Sequence, residues 1–236
     1  MKGILYLIPA TLGDTATDRI IPEHVKSVVR MLDFLIVENT RTARRYIRKL
    51  VPEKQIDTIR FYELNKHSAK PDLPGLIKPL DEGKDMGLIC EAGVPVIADP
   101  GEDIVYLAHQ KQIRVMPLVG PSSIVLALMG SGLNGENFAF NGYLPIQSTQ
   151  RIKKIKSLEQ KSYREKQTQI FMETPYRNNQ ILKDLLESCS DKTLLCVASN
   201  LTLEKEHIET KSIQAWKKEP LPPLHKQPAI FLISSC

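Results

Sequence analysis

Three groups of residues in this sequence have the types and spacing for chemistry. The first is a loop, Cys90-Glu-Ala-Gly-Val-Pro95 with Asp99-Pro-Gly101 close behind and Val96, Ile97 and Ala98 between them. Glycine permits backbone conformations that other residues avoid, and proline fixes φ and withholds an N–H. An apolar run at 86–90 precedes the loop and a helical pattern at 102–110 follows it. Strand, shaped loop, helix is how open α/β sheets build ligand sites at the carboxyl ends of their strands. Taken alone, the loop fits a ligand site or a tight connection without one. The second group is a pair of acidic–basic motifs, Glu38-Asn-Thr-Arg41 and Glu173-Thr-Pro-Tyr-Arg177, each placed after an apolar run and before a helical pattern. Glu38 and Glu173 suit proton transfer, or capping and pairing with a neighbouring arginine. Arg41 and Arg177 suit clamping of a phosphate or carboxylate, because a guanidinium does not serve as a base near neutral pH. The third group is Arg41, Arg44, Arg45, Arg48 and Lys49 on one expected helix. It reads as a solvated face or as a patch that grips phosphates.

These residues need elements to position them. Apolar runs predict strands at 4–8, 33–37, 58–62, 86–90 and 113–118. Helical patterns lie between them: one at 22–31, with Pro22 in its first turn, one capped by Asn39 or Thr40, one weak stretch at 73–82 that Pro79 shortens, and the one at 102–110. This alternation indicates an α/β fold with a mostly parallel sheet and helices on both faces. Gly120-Pro-Ser-Ser123 marks a joint, and 124–129 reads as a buried helix. The expected domains are 1–119 and 120–236. The second half repeats the alternation more loosely, with strands at 138–143, 169–172, 194–198, 207–211 and 229–233. Residues 178–187 carry a helical stripe, whereas the basic segment 145–166 reads as an exposed helix and loop with little to bury.

Composition narrows the class. The chain has 236 residues, 42% hydrophobic and 25% charged, as expected for a soluble globular protein. The net charge of +5 permits an acidic partner without demanding one. The four cysteines, Cys90, Cys189, Cys196 and Cys236, are scattered, which fits a reducing compartment and no metal site. The apolar run near Met1 is too short for a signal peptide and ends at Pro9, and no run reaches the length of a membrane span. A cytoplasmic protein is expected. No Gly-x-Gly-x-x-Gly follows the first strand, which argues against a dinucleotide oxidoreductase.

Taken in order, the motifs resemble those of the tetrapyrrole-methylase superfamily. The chain looks most similar to its subfamily of ribosomal small-subunit RNA (cytidine-2′-O-)-methyltransferases. The resemblance rests on Leu5-Tyr-Leu-Ile-Pro-Ala-Thr-Leu-Gly13, Glu38-Asn-Thr-Arg41, Cys90-Glu-Ala-Gly-Val-Pro95, Asp99-Pro-Gly101, Gly120-Pro-Ser-Ser123, Gly142-Tyr-Leu-Pro145 and Phe171-Met-Glu-Thr-Pro-Tyr-Arg177. Departures from that subfamily are Asp14 after Gly13, Tyr62 and Leu64 around Glu63 with Asn65 kept, Asn39 in the acidic motif, and Ala198-Ser199-Asn200. The resemblance implies two α/β domains with an inter-domain cleft, S-adenosylmethionine (SAM) as cofactor, and a homodimer. It implies cofactor contacts from Ile8, Pro9, Glu91, Ala92, Gly93, Val96, Ala98, Asp99, Ser122, Met172, Asn200, Pro228 and Ala229. Glu38, Arg41, Glu173 and Arg177 are the catalytic candidates. Glu91 and Asp99 then read as loop-shaping or ligand-positioning residues. Tyr143 and Tyr176 can stack on a base or ribose, with burial in the core expected for one of them. Three readings follow: SAM-dependent methylation of structured RNA, expected to be ribosomal; methylation of a small tetrapyrrole-like acid; or a non-catalytic RNA-binding relative. Valine in place of Gly93 is expected to fill ligand space and leave the fold intact.

Overall fold

The computed structural model describes residues 1–64 and 72–235, so Asn65 and Cys236 lie outside the described residues. The chain divides into two compact units, Met1–Ser122 and Ser123–Cys236.

The first unit is built on a five-stranded sheet in the order β3-β2-β4-β1-β5. Its strands are β1 (Ile4–Ile8), β2 (Phe34–Val37), β3 (Arg60–Glu63), β4 (Met86–Ile89) and β5 (Arg114–Pro117), and every neighbouring pair is parallel. Helices α1 (Glu23–Met31), α2 (Thr40–Leu50) and α5 (Glu102–Gln110) complete the frame, with the short α3 (Leu73–Leu76) and α4 (Lys78–Asp81) before β4. Side chains alternate across a strand, so apolar runs feed two cores at once. Ile8, Leu35, Val37 and Ile89 pack with Val25, Val29, Ala43 and Ile47 of α1 and α2. Leu5, Ile36, Met86 and Leu88 pack on the other face with Ile77, Leu80, Ile104 and Ala108.

Three local expectations need correction. The segment 73–82 is two single-turn helices, because Pro74 and Pro79 each open a new first turn rather than continue one helix. Pro22 occupies the position before α1, not its first turn. The third strand starts at Arg60, since 56–58 forms a 3₁₀ turn.

The second unit has a mixed sheet in the order β6-β7-β10-β8-β9. The strands are β6 (Phe138–Tyr143), β7 (Thr168–Met172), β8 (Leu194–Ser199), β9 (His207–Ser212) and β10 (Ala229–Ser234). Only β6 and β7 run parallel; β10 pairs antiparallel with both β7 and β8, and β8 pairs antiparallel with β9. Helices α6 (Ser123–Ser131), α7 (Ser148–Glu165), α8 (Asn178–Ser188) and α9 (Ile213–Trp216) accompany it. Phe171 and Phe231 stack in the core at 6.1 Å between ring centroids, and Trp216 donates its indole N–H to the Leu195 carbonyl at 2.9 Å.

Two expectations for this half are overturned. Helix α6 is apolar all round yet turns Val125 and Met129 outward, 49% and 73% exposed. The segment 145–166 has much to bury: α7 places Arg151, Ile155, Leu158 and Ser162 inward, at the spacing of one helical face. The sequence shows that face only once its four positions are separated from the lysines between them.

Candidate functional site

At the carboxyl ends of β1, β2 and β4 a pocket of about 280 Å³ opens in the first unit. Its walls are the loop from Ala10 to Asp14, the Val37-Glu38-Asn39 strand end, the Ile89-to-Ala92 strand end, and one stripe of α2. That stripe is Thr42, Arg45, Tyr46 and Lys49, at i, i+3, i+4 and i+7. Asn39 starts α2 as its cap: its side-chain oxygen accepts from Arg41 N at 2.9 Å and Thr42 N at 3.2 Å. Two carboxylates then fix the first turn. Glu63 accepts from Thr40 N at 2.9 Å, and Glu91 accepts from the Thr42 hydroxyl at 2.6 Å. Tyr46 reaches across to donate its hydroxyl to the Pro9 carbonyl at 2.7 Å, and burial pushes its pKa up, with Cys90 adding to the shift. The helix and both loops therefore form one hydrogen-bonded rim.

Of the expected catalytic residues in this unit, Glu38 lines the pocket and Arg41 does not; Arg45 and Lys49 supply its cationic side instead. Lys49 reaches Asp14 at 2.5 Å, and this hydrogen bond holds the exposed Asp14 carboxyl below its usual range. Arg44 is turned away, paired with Asp57 and lying 5.8 Å from the Phe61 ring centroid. Thr42 and Tyr46 escaped the sequence reading. The signal for them was the i, i+3, i+4, i+7 spacing with Arg45 and Lys49, which attention to charge alone passes over.

The loop after β4 is held in an uncommon backbone. Gly93 has φ of +76°, while Val96 and Ala98, which carry side chains, sit at +74° and +64°. Left-handed conformations cost a non-glycine residue roughly 1–2 kcal/mol, and such strain concentrates at functional sites. Gly93 forms an isolated bridge with Ala10: Ala10 N donates to Gly93 O at 2.7 Å, and Gly93 N donates to Ala10 O at 3.2 Å. A Cβ at Gly93 would stand 3.2 Å from Leu12 Cδ2 and 3.4 Å from Pro121 O. This corrects the expectation for valine at Gly93. The added side chain meets protein first and strains the backbone, so the fold itself pays. The bridge brings Pro9, Gly93 and the Pro121-Ser122 turn to one place; Glu91 and Ala92 line the pocket, whereas Gly93, Val96, Ala98 and Asp99 do not. Burial raises the Cys90 thiol, with Asp99 and Glu38 adding to the shift, so Cys90 is a neutral wall.

The second unit gathers a separate cluster at the end of β7 and the start of β10. Ala229 pairs in register with Ser199, Ile230 with Met172, and Asn200 N donates to Pro228 O at 3.0 Å. Met172, Asn200, Pro228 and Ala229 are thus neighbours. Beside them Glu173, its side chain 1% exposed, accepts from Thr174 N at 2.6 Å and from Arg177 Nη2 at 2.5 Å through Oε1. Its Oε2 is buried with no hydrogen-bond partner among the described residues. Asn178 donates to Gln227 O at 2.6 Å, and Asn200 donates to the Gln227 side chain. Gln227 carried no motif and was missed. Tyr143 and Tyr176 are 55% and 70% exposed, so neither is the core aromatic expected of one of them.

The residues of the first unit fit the cofactor that the sequence resemblance implies. Strand ends and small loop residues supply apolar and backbone surface, and the carboxylates Glu38 and Glu91 suit a cationic ligand. Val96 and Ala98 hold the loop in backbone conformations of the kind that cluster at functional sites.

Comparison with known proteins agrees with this geometry. The family model for tetrapyrrole (corrin/porphyrin) methylases matches residues 5–216. The ribosomal RNA small subunit methyltransferase I of Vibrio cholerae is 31% identical over 206 residues, 87% of this chain and 67% of that protein. The protein of the same name from Escherichia coli O157:H7 is 30% identical over 221 residues, 92% of this chain and 73% of that one. The Synechocystis protein is 30% identical over 214 residues, covering 90% and 72%. Among solved structures, cobalt precorrin-4 methyltransferase, a cobalamin biosynthetic enzyme, superposes with a TM-score of 0.61 at 14% identity, covering 98% of this chain and 94% of that one. Uroporphyrin-III-C-methyltransferase from Thermus thermophilus gives 0.55 at 15% identity, covering 99% and 93%. The two structures support the fold alone. The family match spans most of both units, and the chain belongs to the tetrapyrrole (corrin/porphyrin) methylase family of methyltransferases.

Proposed function

We propose that this protein is a SAM-dependent methyltransferase of small-subunit ribosomal RNA, acting on a ribose 2′-hydroxyl. The observation that carries the reading is the run of relatives bearing the small-subunit ribosomal RNA methyltransferase I name, about 30% identical over roughly nine-tenths of this chain. The pocket of the first unit supports it, since Arg45 and Lys49 give a phosphate-bearing acceptor a cationic wall beside the Glu38 carboxylate.

In this reading Glu91 and Ala92 meet SAM at the pocket wall, and Ile8, Pro9, Gly93, Val96, Ala98, Asp99 and Ser122 act from strand ends and turns outside that lining. The resemblance implies a cofactor role for Met172, Asn200, Pro228 and Ala229 of the second unit as well. When bound, SAM supplies an electrophilic methyl on a sulfonium. The chain's own task is then alignment, which contributes on the order of 7–11 kcal/mol in favourable systems. Tyr46, Thr42 and Glu91 perform it by locking α2 to the two loops. A hydroxyl acceptor also needs its proton removed. Glu38 and Glu173 are the candidates, and Glu173 has the geometry of a held carboxylate: Arg177 and Thr174 N fix Oε1 and leave Oε2 to accept. Arg177 clamps the Glu173 carboxylate, and the clamping role expected of Arg41 passes to Arg45 and Lys49. We also propose a cytoplasmic homodimer, as the resemblance implies; light scattering after size exclusion tests the oligomeric state.

The test of the function is transfer of labelled methyl from SAM to purified small ribosomal subunits. Label in RNA at an alkali-resistant nucleotide is expected. Label that enters only a tetrapyrrole-like acid favours the small-molecule reading, and absence of SAM binding in calorimetry removes both.

A further inference from the structure

Helix α7 of the second unit carries Lys153, Lys156 and Arg164 on the face turned away from its buried side. Arg151, Ile155, Leu158 and Ser162 are buried. Arg151 also donates to Asp184 at 2.5 Å and to the Ile146 carbonyl at 2.6 Å, which fixes the rotation of the helix. With about 3.6 residues per turn, the opposite face is then Lys153, Lys156, Gln160, Tyr163 and Arg164. All five are exposed, Tyr163 by 63%. Among the described residues, Lys153, Lys156 and Arg164 have no acidic partner, whereas other surface cations such as Lys161 and Lys183 do. The helix's own glutamates are engaged elsewhere: Glu159 accepts from Ser190 N and the Thr193 hydroxyl, and Glu165 faces Lys161. A depression of about 290 Å³ opens beside the stripe, lined by Glu159, Gln160, Tyr163, Arg164 and Ser235, with the Glu159 carboxylate held by Ser190 N and the Thr193 hydroxyl.

We infer that this face of α7 is a docking surface for single-stranded RNA, with Lys153, Lys156 and Arg164 on phosphates and Tyr163 stacking an unpaired base over the depression. The inference rests on the ribosomal RNA reading and adds a surface outside the pocket of the first unit. Three properties argue for it. The cations run roughly 16 Å along the axis, long enough to follow an extended backbone. Lys153 and Lys156 keep like charges at i,i+3, an arrangement that costs stability unless an anion uses it. An exposed aromatic at the end of a cationic track is the recurring platform for sequence-tolerant strand binding. An acidic protein is the competing occupant, and binding to polyglutamate separates it from RNA.

The test uses the full chain, a labelled uridine-rich single-stranded oligoribonucleotide, and fluorescence anisotropy across a salt series. Each phosphate contact on a single strand contributes about 0.7 to the slope of log affinity against log salt, so three contribute about 2. The combined variant Lys153→Gln, Lys156→Gln and Arg164→Gln is expected to flatten the slope by about 2, to bind about 100-fold more weakly at about 0.1 M salt, and to converge with the parent near 1 M. Tyr163→Ala is expected to bind about 10-fold more weakly at every salt concentration with the slope unchanged. Unchanged melting curves serve as the folding control, since all four side chains are exposed. An unaltered slope in the combined variant, while the parent still methylates ribosomal RNA, overturns the docking surface and leaves the proposed function standing. A parent that binds no RNA removes both. An equal loss of binding to polyglutamate in the combined variant, with Tyr163→Ala silent towards RNA, overturns the assignment to RNA.

Discussion

Substitution of Gly93 by alanine probes the backbone of the loop after β4 with a single methyl group. Gly93 sits at φ of +76°, where an L side chain costs roughly 1–2 kcal/mol. The new Cβ would lie 3.2 Å from Leu12 Cδ2 and 3.4 Å from Pro121 O. The leucine tip can yield by a few tenths of an ångström, but the carbonyl belongs to the turn that leads to Ser122. Shifting Gly93 instead would stretch its two bonds to Ala10, at 2.7 and 3.2 Å. Together these give a loss of about 2 kcal/mol for alanine; valine, with branched methyls at a left-handed position, adds overpacking of about 1–3 kcal/mol more. For a chain of this size about 2 kcal/mol lowers the melting temperature by roughly 4–8 °C. The assay is thermal unfolding by circular dichroism, paired with calorimetric titration of SAM on protein held well below its transition. The expected result is a lowered transition in both variants, larger for valine. Alanine that melts within about a degree of the parent would refute the argument from left-handed strain.

Other consequences are testable. Arg151→Ala leaves the Asp184 carboxylate, 3% exposed, without its cation, and is expected to cost about 3–5 kcal/mol in denaturant unfolding; a change below about 1 kcal/mol would show that Asp184 finds water instead. Tyr46→Phe removes one hydrogen bond to Pro9 O and is expected to cost about 1 kcal/mol of stability and to raise the dissociation constant for SAM; unaltered binding would separate the rim from the cofactor. The thiols of Cys90, Cys189 and Cys196 are all raised, chiefly by burial, Cys189 to about 12. A folded pKa raised above the unfolded one gives stability that is full below about pH 8.5 and is lost as pH rises, by up to about 1.4 kcal/mol per pH unit for each thiol. Relative to a variant with alanine at the three positions, the parent is therefore expected to lose stability more steeply above about pH 9; parallel curves would contradict the burial argument.

Much of the fold was legible because β strands covered on both faces announce themselves as unbroken apolar runs. Leu35-Ile-Val37 feeds both cores of the first unit, the mark of an interior strand. What misled the reading was local composition. Lysines dominate 145–166, and they hid the inward stripe of Ile155 and Leu158 between them. Leucine and valine dominate α6 and suggested complete burial, although Met129 faces outward. At the site, motif residues such as Glu38 and Glu91 were visible because their types are chemically distinctive. Thr42, Tyr46 and Gln227 were not, since their importance lies in reaching the Glu91 carboxylate, the Pro9 carbonyl and Asn178–Asn200, and only three-dimensional contact reveals that. Arg41 shows the converse. It stands in the motif, but the cap that starts α2 turns Arg45 and Lys49, not Arg41, to the pocket.

The central claim is methyl transfer from SAM to small-subunit ribosomal RNA. Its most direct test is incubation of the protein with labelled SAM and purified small subunits, followed by nuclease digestion and chromatography of the nucleosides. The account expects label in a single 2′-O-methylated nucleoside, lost when Glu38 and Glu173 are both replaced by glutamine. Label absent from RNA, in a protein that binds SAM and is fully folded, would contradict it.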